Sequence, residues 1–111
     1  MIKSDVLKGL TLGLSVFLAA CGSESENASS SPSEGEKLVK ANCLVCHSPG
    51  INGAPIIGNK KMWSKRLPKG KDVLVQHAIE GFGLMPAKGG RTELSDEQIA
   101  LAVEYMMSQV Q

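Results

Sequence analysis

An all-α fold is predicted by three observations. No stretch of the 111 residues alternates apolar and polar side chains with a period of two, so no strand is signalled. Three segments beyond residue 33 carry helix start or stop residues around apolar positions at helical spacing. The first of these runs into Cys43-Leu44-Val45-Cys46-His47, a CxxCH pattern, the spacing at which two thiols and an imidazole hold one c-type haem. The expected architecture is three to four helices wrapped around one covalently attached haem.

The chain divides into three parts. Lys3 and Lys8 precede an almost wholly apolar run of 12 residues, Gly9 to Ala20. Crossing a bilayer takes about 20 residues of helix, so 1–20 reads as a signal peptide. Leu18-Ala19-Ala20-Cys21 closes it and resembles the bacterial lipobox, in which the chain is cut before a cysteine that carries the lipid. The alternatives are an ordinary signal peptide with a chance cysteine, or an uncleaved anchor. Three cysteines divide into two haem thioethers and one lipidated Cys21, leaving no stray thiol in an oxidising compartment. Residues 21–33 then form a serine-rich, acidic stretch without a large apolar side chain, expected as a flexible lipidated tether. A coil of that length spans about 20 Å. Residues 34–111 are the expected haem domain, at a size where a hydrophobic core alone is marginal. Its only aromatic residues are Trp63, Phe82 and Tyr105, and a porphyrin would supply the missing apolar bulk.

Each helix has a local reason. Ser33 and Glu36 make a capping-box pattern ahead of Leu38 and Val39, so the first helix runs from about Glu34 into the haem motif. The second covers about Lys71 to Glu80, with Val73, Leu74, Ala78 and Ile79 apolar and Gly81 as the stop. The third is capped by Ser95, with Gln98 at its third position and a Leu94–Ile99 staple. Ile99, Val103, Met106 and Val110 trace its apolar face. A short fourth helix is weakly signalled near Lys60 to Arg66. His77 falls on the second helix and is expected as a partly exposed surface residue.

The motif fixes the chemistry. Two cysteines on one turn reach the two vinyl groups of a porphyrin, and His47 reaches the iron from one face. A zinc site needs two more ligands, and His77 is the only other histidine; a thioredoxin-like pair needs flanking βαβ units, which are absent. The second iron ligand is expected to be Met85 in Gly83-Leu84-Met85-Pro86-Ala87-Lys88-Gly89-Gly90, because glycines and a proline make an irregular loop where a core methionine would not sit. Met62, Met106 and Met107 read as packing residues.

These pieces resemble the monohaem class I cytochromes c. Gly53-Ala54-Pro55, Trp63, Leu74-Val75-Gln76-His77-Ala78-Ile79, Met85-Pro86-Ala87-Lys88-Gly89-Gly90 and Leu94-Ser95-Asp96-Glu97 look more closely like the cytochrome c5 group. The resemblance covers nearly all of 34–108. It implies that the Pro55 carbonyl accepts the Nδ1 proton of His47, although a plain turn proline reads equally from sequence. It implies that Gly35 and Val39 mark where the first helix crosses the last near Tyr105. Trp63 is either an indole donor to a haem propionate or a core residue. One departure stands out. That group often carries a cysteine pair before the last helix, and here Arg91-Thr92-Glu93 stand there, so the loop disulfide is absent and a looser methionine loop is expected.

Iron bound by His47 and Met85 leaves no open position for a substrate. The expected function is therefore a membrane-tethered periplasmic one-electron carrier between respiratory redox partners, a monomer and not an enzyme. The rival readings are a ligand sensor or peroxidase-like enzyme with a displaceable Met85, and a fixed haem subunit of a larger oxidoreductase. The net charge of +1 is uninformative, but its distribution is uneven. Lys60, Lys61, Lys65, Arg66, Lys69 and Lys71 form a basic run, while Glu93, Asp96, Glu97 and Glu104 load the last helix. The run is either a docking surface for an acidic partner or a solvated face. Nucleic acid is excluded, since the pI is about 7.7 and no aromatics are interleaved with the basic residues. Gly22 and Ser23 after Cys21 favour the outer membrane for the anchor if the cell is Gram-negative.

Overall fold

The computed structural model describes residues 32–110. The expected signal peptide at 1–20, the lipidated Cys21 and the tether as far as residue 31 lie outside the described residues.

Among the described residues five helices form: α1 (Glu34–Asn42), α2 (Leu44–His47), α3 (Lys60–Trp63), α4 (Lys71–Glu80) and α5 (Asp96–Ser108). Single 3₁₀ turns at Ile51–Gly53, Leu67–Lys69 and Ala87–Gly90 join them. No strand occurs among the described residues, only one isolated bridge between Phe82 and Met85.

The helix starts follow their caps. Ser33 Oγ accepts the Glu36 amide at 3.1 Å to open α1. Ser95 and Gln98 form the full capping box at α5, with the two reciprocal bonds at 3.1 and 3.0 Å. At α3, Asn59 Oδ1 accepts the Met62 amide at 3.1 Å, a start that makes the weakly signalled helix real. One boundary differs from the sequence expectation. The first helix does not run unbroken through the haem motif: it ends at Asn42, whose side-chain amide donates to the Leu38 carbonyl at 3.0 Å. Cys43 then flattens to φ −114°, and the short α2 restarts beyond it with the Cys46 and His47 amides both donating to the Cys43 carbonyl.

The core lies where α1 crosses α5. Leu38 and Val39 meet Trp63, Ala102 and Met106 there, with Val39 wholly buried. Gly35 permits the crossing, because a Cβ at that position would stand 2.3 Å from the Leu101 carbonyl oxygen. A second apolar cluster joins α4 to α5 through Ala78, Ile99 and Val103, with Leu94 and Met85 packed against it. These two clusters leave between them the cleft that holds the site.

Candidate haem site

One open cleft of about 340 Å³ gathers most of the residues singled out in the sequence. Cys43, Cys46 and His47 line it from the α1–α2 corner, Pro55 from the following loop, Trp63 from α3 and Met85 from the loop after α4. Ala78, Ile99, Ala102, Val103 and Met106 also face the cleft and make its lining mainly apolar. Cys21 is not among the described residues.

His47 is held twice. Its amide is bonded in α2 while its carbonyl accepts the Ile57 amide at 3.1 Å, and its Nδ1 lies 2.9 Å from the Pro55 carbonyl oxygen. A carbonyl can only accept, so Nδ1 carries the proton and Nε2 is left as the ring nitrogen with a free lone pair. The imidazole is buried. Cys43 and Cys46 are unpaired thiols one turn apart. Burial pushes the Cys43 thiol up, with the Arg91 charge opposing and Cys46 adding to the rise.

The Met85 loop begins at Gly81, whose φ of 90° suits glycine and whose missing Cβ makes room for the Met85 carbonyl and the Ala87 amide. Phe82 and Met85 then exchange two backbone hydrogen bonds, each 3.0 Å, so Gly83 and Leu84 form the tip of a tight hairpin. The hairpin's Phe82 ring stacks on His77 with centroids 4.1 Å apart, and Lys69 Nζ sits 5.2 Å from the same ring. His77 is thus partly exposed, as expected, and forms part of the cleft wall.

Trp63 packs in the core and lines the cleft. Its indole N–H donates to the Ile56 carbonyl at 2.8 Å, and its ring is buried in the α1–α5 core. Sequence reasoning missed the cations that do face the cleft, Arg66, Lys69 and Lys88. Arg66 and Lys69 lie three residues apart within the basic run, and that spacing on one turn was the available signal. No carboxylate lines the cleft among the described residues.

The residues present fit one group well. Walls this apolar, ending in cations with no acid, accept a flat hydrophobic disc with anionic substituents, and two adjacent thiols can bond it covalently. Haem c has that shape, those two carboxylates and that attachment, so fold and cleft together define a small c-type cytochrome.

Comparison with known proteins agrees. The family model described as "Cytochrome C oxidase, cbb3-type, subunit III" matches residues 30–106. Cytochrome c-555 of Chlorobaculum thiosulfatiphilum is 42% identical over 79 residues, covering 68% of this chain and 92% of that protein. Cytochrome c5 of Ectopseudomonas mendocina is 33% identical over 73 residues, covering 64% of this chain and 84% of that protein. Among solved structures, the cytochrome in an electron transfer complex of nitrite reductase with cytochrome c superposes with a TM-score of 0.68 at 35% identity, covering 74% of this chain and all of that one. The chain belongs to this family of class I monohaem cytochromes c and is of the c5-like type, a small electron-carrying cytochrome with one haem c attached through Cys43 and Cys46.

Proposed function

We propose that the protein is a one-electron carrier whose iron is held by His47 and Met85. It is tethered through a lipid on Cys21 to the periplasmic side of a bacterial membrane, the outer one being favoured by Gly22 and Ser23. The observation that carries the ligand assignment is the 2.9 Å contact between His47 Nδ1 and the Pro55 oxygen, which leaves Nε2 for the metal, together with Met85 on the same cleft. When bound, haem supplies a one-electron iron couple.

The chain's own residues do the rest. The Pro55 carbonyl orients the imidazole and raises the electron donation of Nε2. The thioether of Met85 favours the reduced state, which places the potential on the positive side. With the propionate role of Trp63 taken by its bond to Ile56, Arg66 and Lys69 are the cations that would hold the two carboxylates, since Lys88 is committed to Asp96 and the Leu94 carbonyl. Val45, Ile51, Phe82 and Leu84 are exposed around the mouth of the cleft and leave an apolar edge for a redox partner to approach. Lys60, Lys61, Lys65, Lys69 and Lys71 are all exposed, and Lys69 lines the cleft. A partner with an acidic rim would be steered there in a salt-dependent way. The nitrite reductase complex of the structural relative supports an enzyme as one such partner.

A second reading has a specific observation behind it. The matching family model carries the name of an oxidase subunit, which favours a haem domain fixed in a larger complex. Against it, the domain corresponds to 92% of the length of the c-555 relative, a small cytochrome by itself. Co-purification in constant ratio with a complex after mild detergent extraction would support the fixed subunit.

The deciding experiment is Met85→Ala in the holoprotein. Covalent haem and helix content are expected to persist, while the low-spin six-coordinate spectrum is lost, carbon monoxide binds rapidly and the potential falls sharply. An unchanged spectrum would overturn the ligand assignment, and with it the carrier without an open iron position.

A further inference from the structure

We propose that Lys88 is a positioning residue for Met85, tying the loop that carries the sulfur to the start of α5. The proposal rests on Met85 being the second iron ligand. It gives a non-covalent substitute for the cysteine cross-link that the cytochrome c5 group often has in this segment.

Four observations carry it. Lys88 Nζ lies 2.7 Å from Asp96 Oδ1 and 2.7 Å from the Leu94 carbonyl oxygen, so one ammonium spans the loop and both sides of the helix start. The side chain is only 19% exposed, far less than a solvated lysine. Its backbone sits at φ 54°, in the left-handed region that a non-glycine residue seldom enters, although glycines follow directly at 89 and 90. And the start of α5 is the positive end of a helix dipole, a poor place for an ammonium unless a carboxylate offsets it, which Asp96 does. A lysine held against both backbone preference and dipole is held by what it reaches.

What it reaches is coupled to the sulfur. Leu94 and Met85 pack against the same Ala78, Ile99 and Val103 cluster. Between Met85 and Lys88, the Gly89 amide donates to the Pro86 carbonyl at 3.0 Å, and Lys88's own carbonyl accepts the Arg91 amide at 3.1 Å. The segment is therefore a short closed turn with two anchors. One is the Phe82–Met85 hairpin pair and the other is the Lys88 ammonium. Releasing the second leaves Met85 held from one side only, and departure of its sulfur from iron becomes easier without any loss of core packing.

The test is Lys88→Asn in the ferric holoprotein. Asparagine occupies left-handed backbone more readily than other non-glycine residues but is too short to reach Asp96. Stopped-flow absorbance would follow capture of added imidazole by the iron, which requires the sulfur to leave first, and thermal unfolding would be recorded alongside. The expected result is capture faster by roughly tenfold, the size of one lost charge-assisted hydrogen bond, with a fall in the unfolding midpoint no larger than that same bond accounts for, roughly 10 °C or less. Lys88→Arg should return the rate toward the wild-type value. An unchanged rate overturns the proposal, as does an equal acceleration in Gly35→Ala, which lowers global stability without touching the loop. Failure of the ligand assignment itself would be seen separately, as a wild-type ferric spectrum with no sulfur-to-iron absorption band.

Discussion

Replacing Gly35 with alanine should loosen the whole domain, and the structure sets the amount. The added Cβ would stand 2.3 Å from the Leu101 carbonyl oxygen and 3.0 Å from Tyr105 Cβ, inside the crossing of α1 and α5. Carbon and oxygen settle near about 3.3 Å, so the helices must part by about 1 Å. Overpacking of this kind costs about 1–3 kcal/mol, and the upper end applies because the obstacle is main chain within a 13-residue helix, not a side chain that can turn away. Alanine returns about 1 kcal/mol of helix propensity relative to glycine. The net loss is about 2 kcal/mol. In a domain of this size each 1 kcal/mol moves the melting midpoint by about 4–8 °C, so a fall of roughly 10 °C is expected. Circular dichroism melting of the two holoproteins measures it, with haem content checked by absorbance because α1 leads directly to Cys43. A midpoint equal to or above wild type would refute the close approach, since the propensity gain would then stand unopposed.

Three further outcomes follow from the same geometry. Trp63→Phe removes the indole bond to the half-buried Ile56 carbonyl, which keeps the Asn59 amide, and should lower stability by about 0.5–1.5 kcal/mol in denaturant unfolding while leaving the pH dependence of the reduction potential in place; a changed pH dependence would return Trp63 to the propionates. Glu93 is held below its ordinary value of 4.5 by its own backbone hydrogen bond first and by the Arg91 side chain second, so its contribution to stability is present above that value and lost as the pH falls through the folded one. Arg91→Gln should therefore unfold more readily than wild type at neutral pH, with the gap closing below pH 4.5, and a gap independent of pH would contradict the pairing. Cys21→Ser should move the cytochrome from the membrane fraction to the soluble one, whereas retention in the membrane would argue for an uncleaved anchor.

What could be read from the sequence was local. α4 begins at Lys71 and ends at Glu80 as expected, because Gly81 supplies the stop within the chain itself. α5 follows its capping box for the same reason. The approach of Gly35 to Leu101 and the 2.9 Å contact of His47 with Pro55 match positions where the family resemblance placed a helix crossing and a histidine partner. Features set by distant partners were hidden. The break at Cys43 depends on a side-chain bond from Asn42 back to Leu38, and the engagement of the Trp63 indole depends on where the chain carries Ile56. The reach of Lys88 to Asp96 crosses seven intervening residues, whose path no periodicity encodes. Arg66 and Lys69 looked like part of a uniform basic run, and it is the chain beyond α3, where Leu67 packs against the core, that brings those two to the cleft.

The two sides of the cleft are not equally stiff. The histidine side is a buried ring fastened through its own carbonyl and its own Nδ1 to residues 57 and 55, so main chain and side chain would have to give way together. The sulfur side hangs on a hairpin whose tip, Leu84, is 73% exposed, steadied by a few polar tethers. Compliance is thus concentrated in one half of the molecule. Whatever strains this protein, whether heat, acid or the press of a docking enzyme, meets its first yielding point there, while the nitrogen side keeps its geometry.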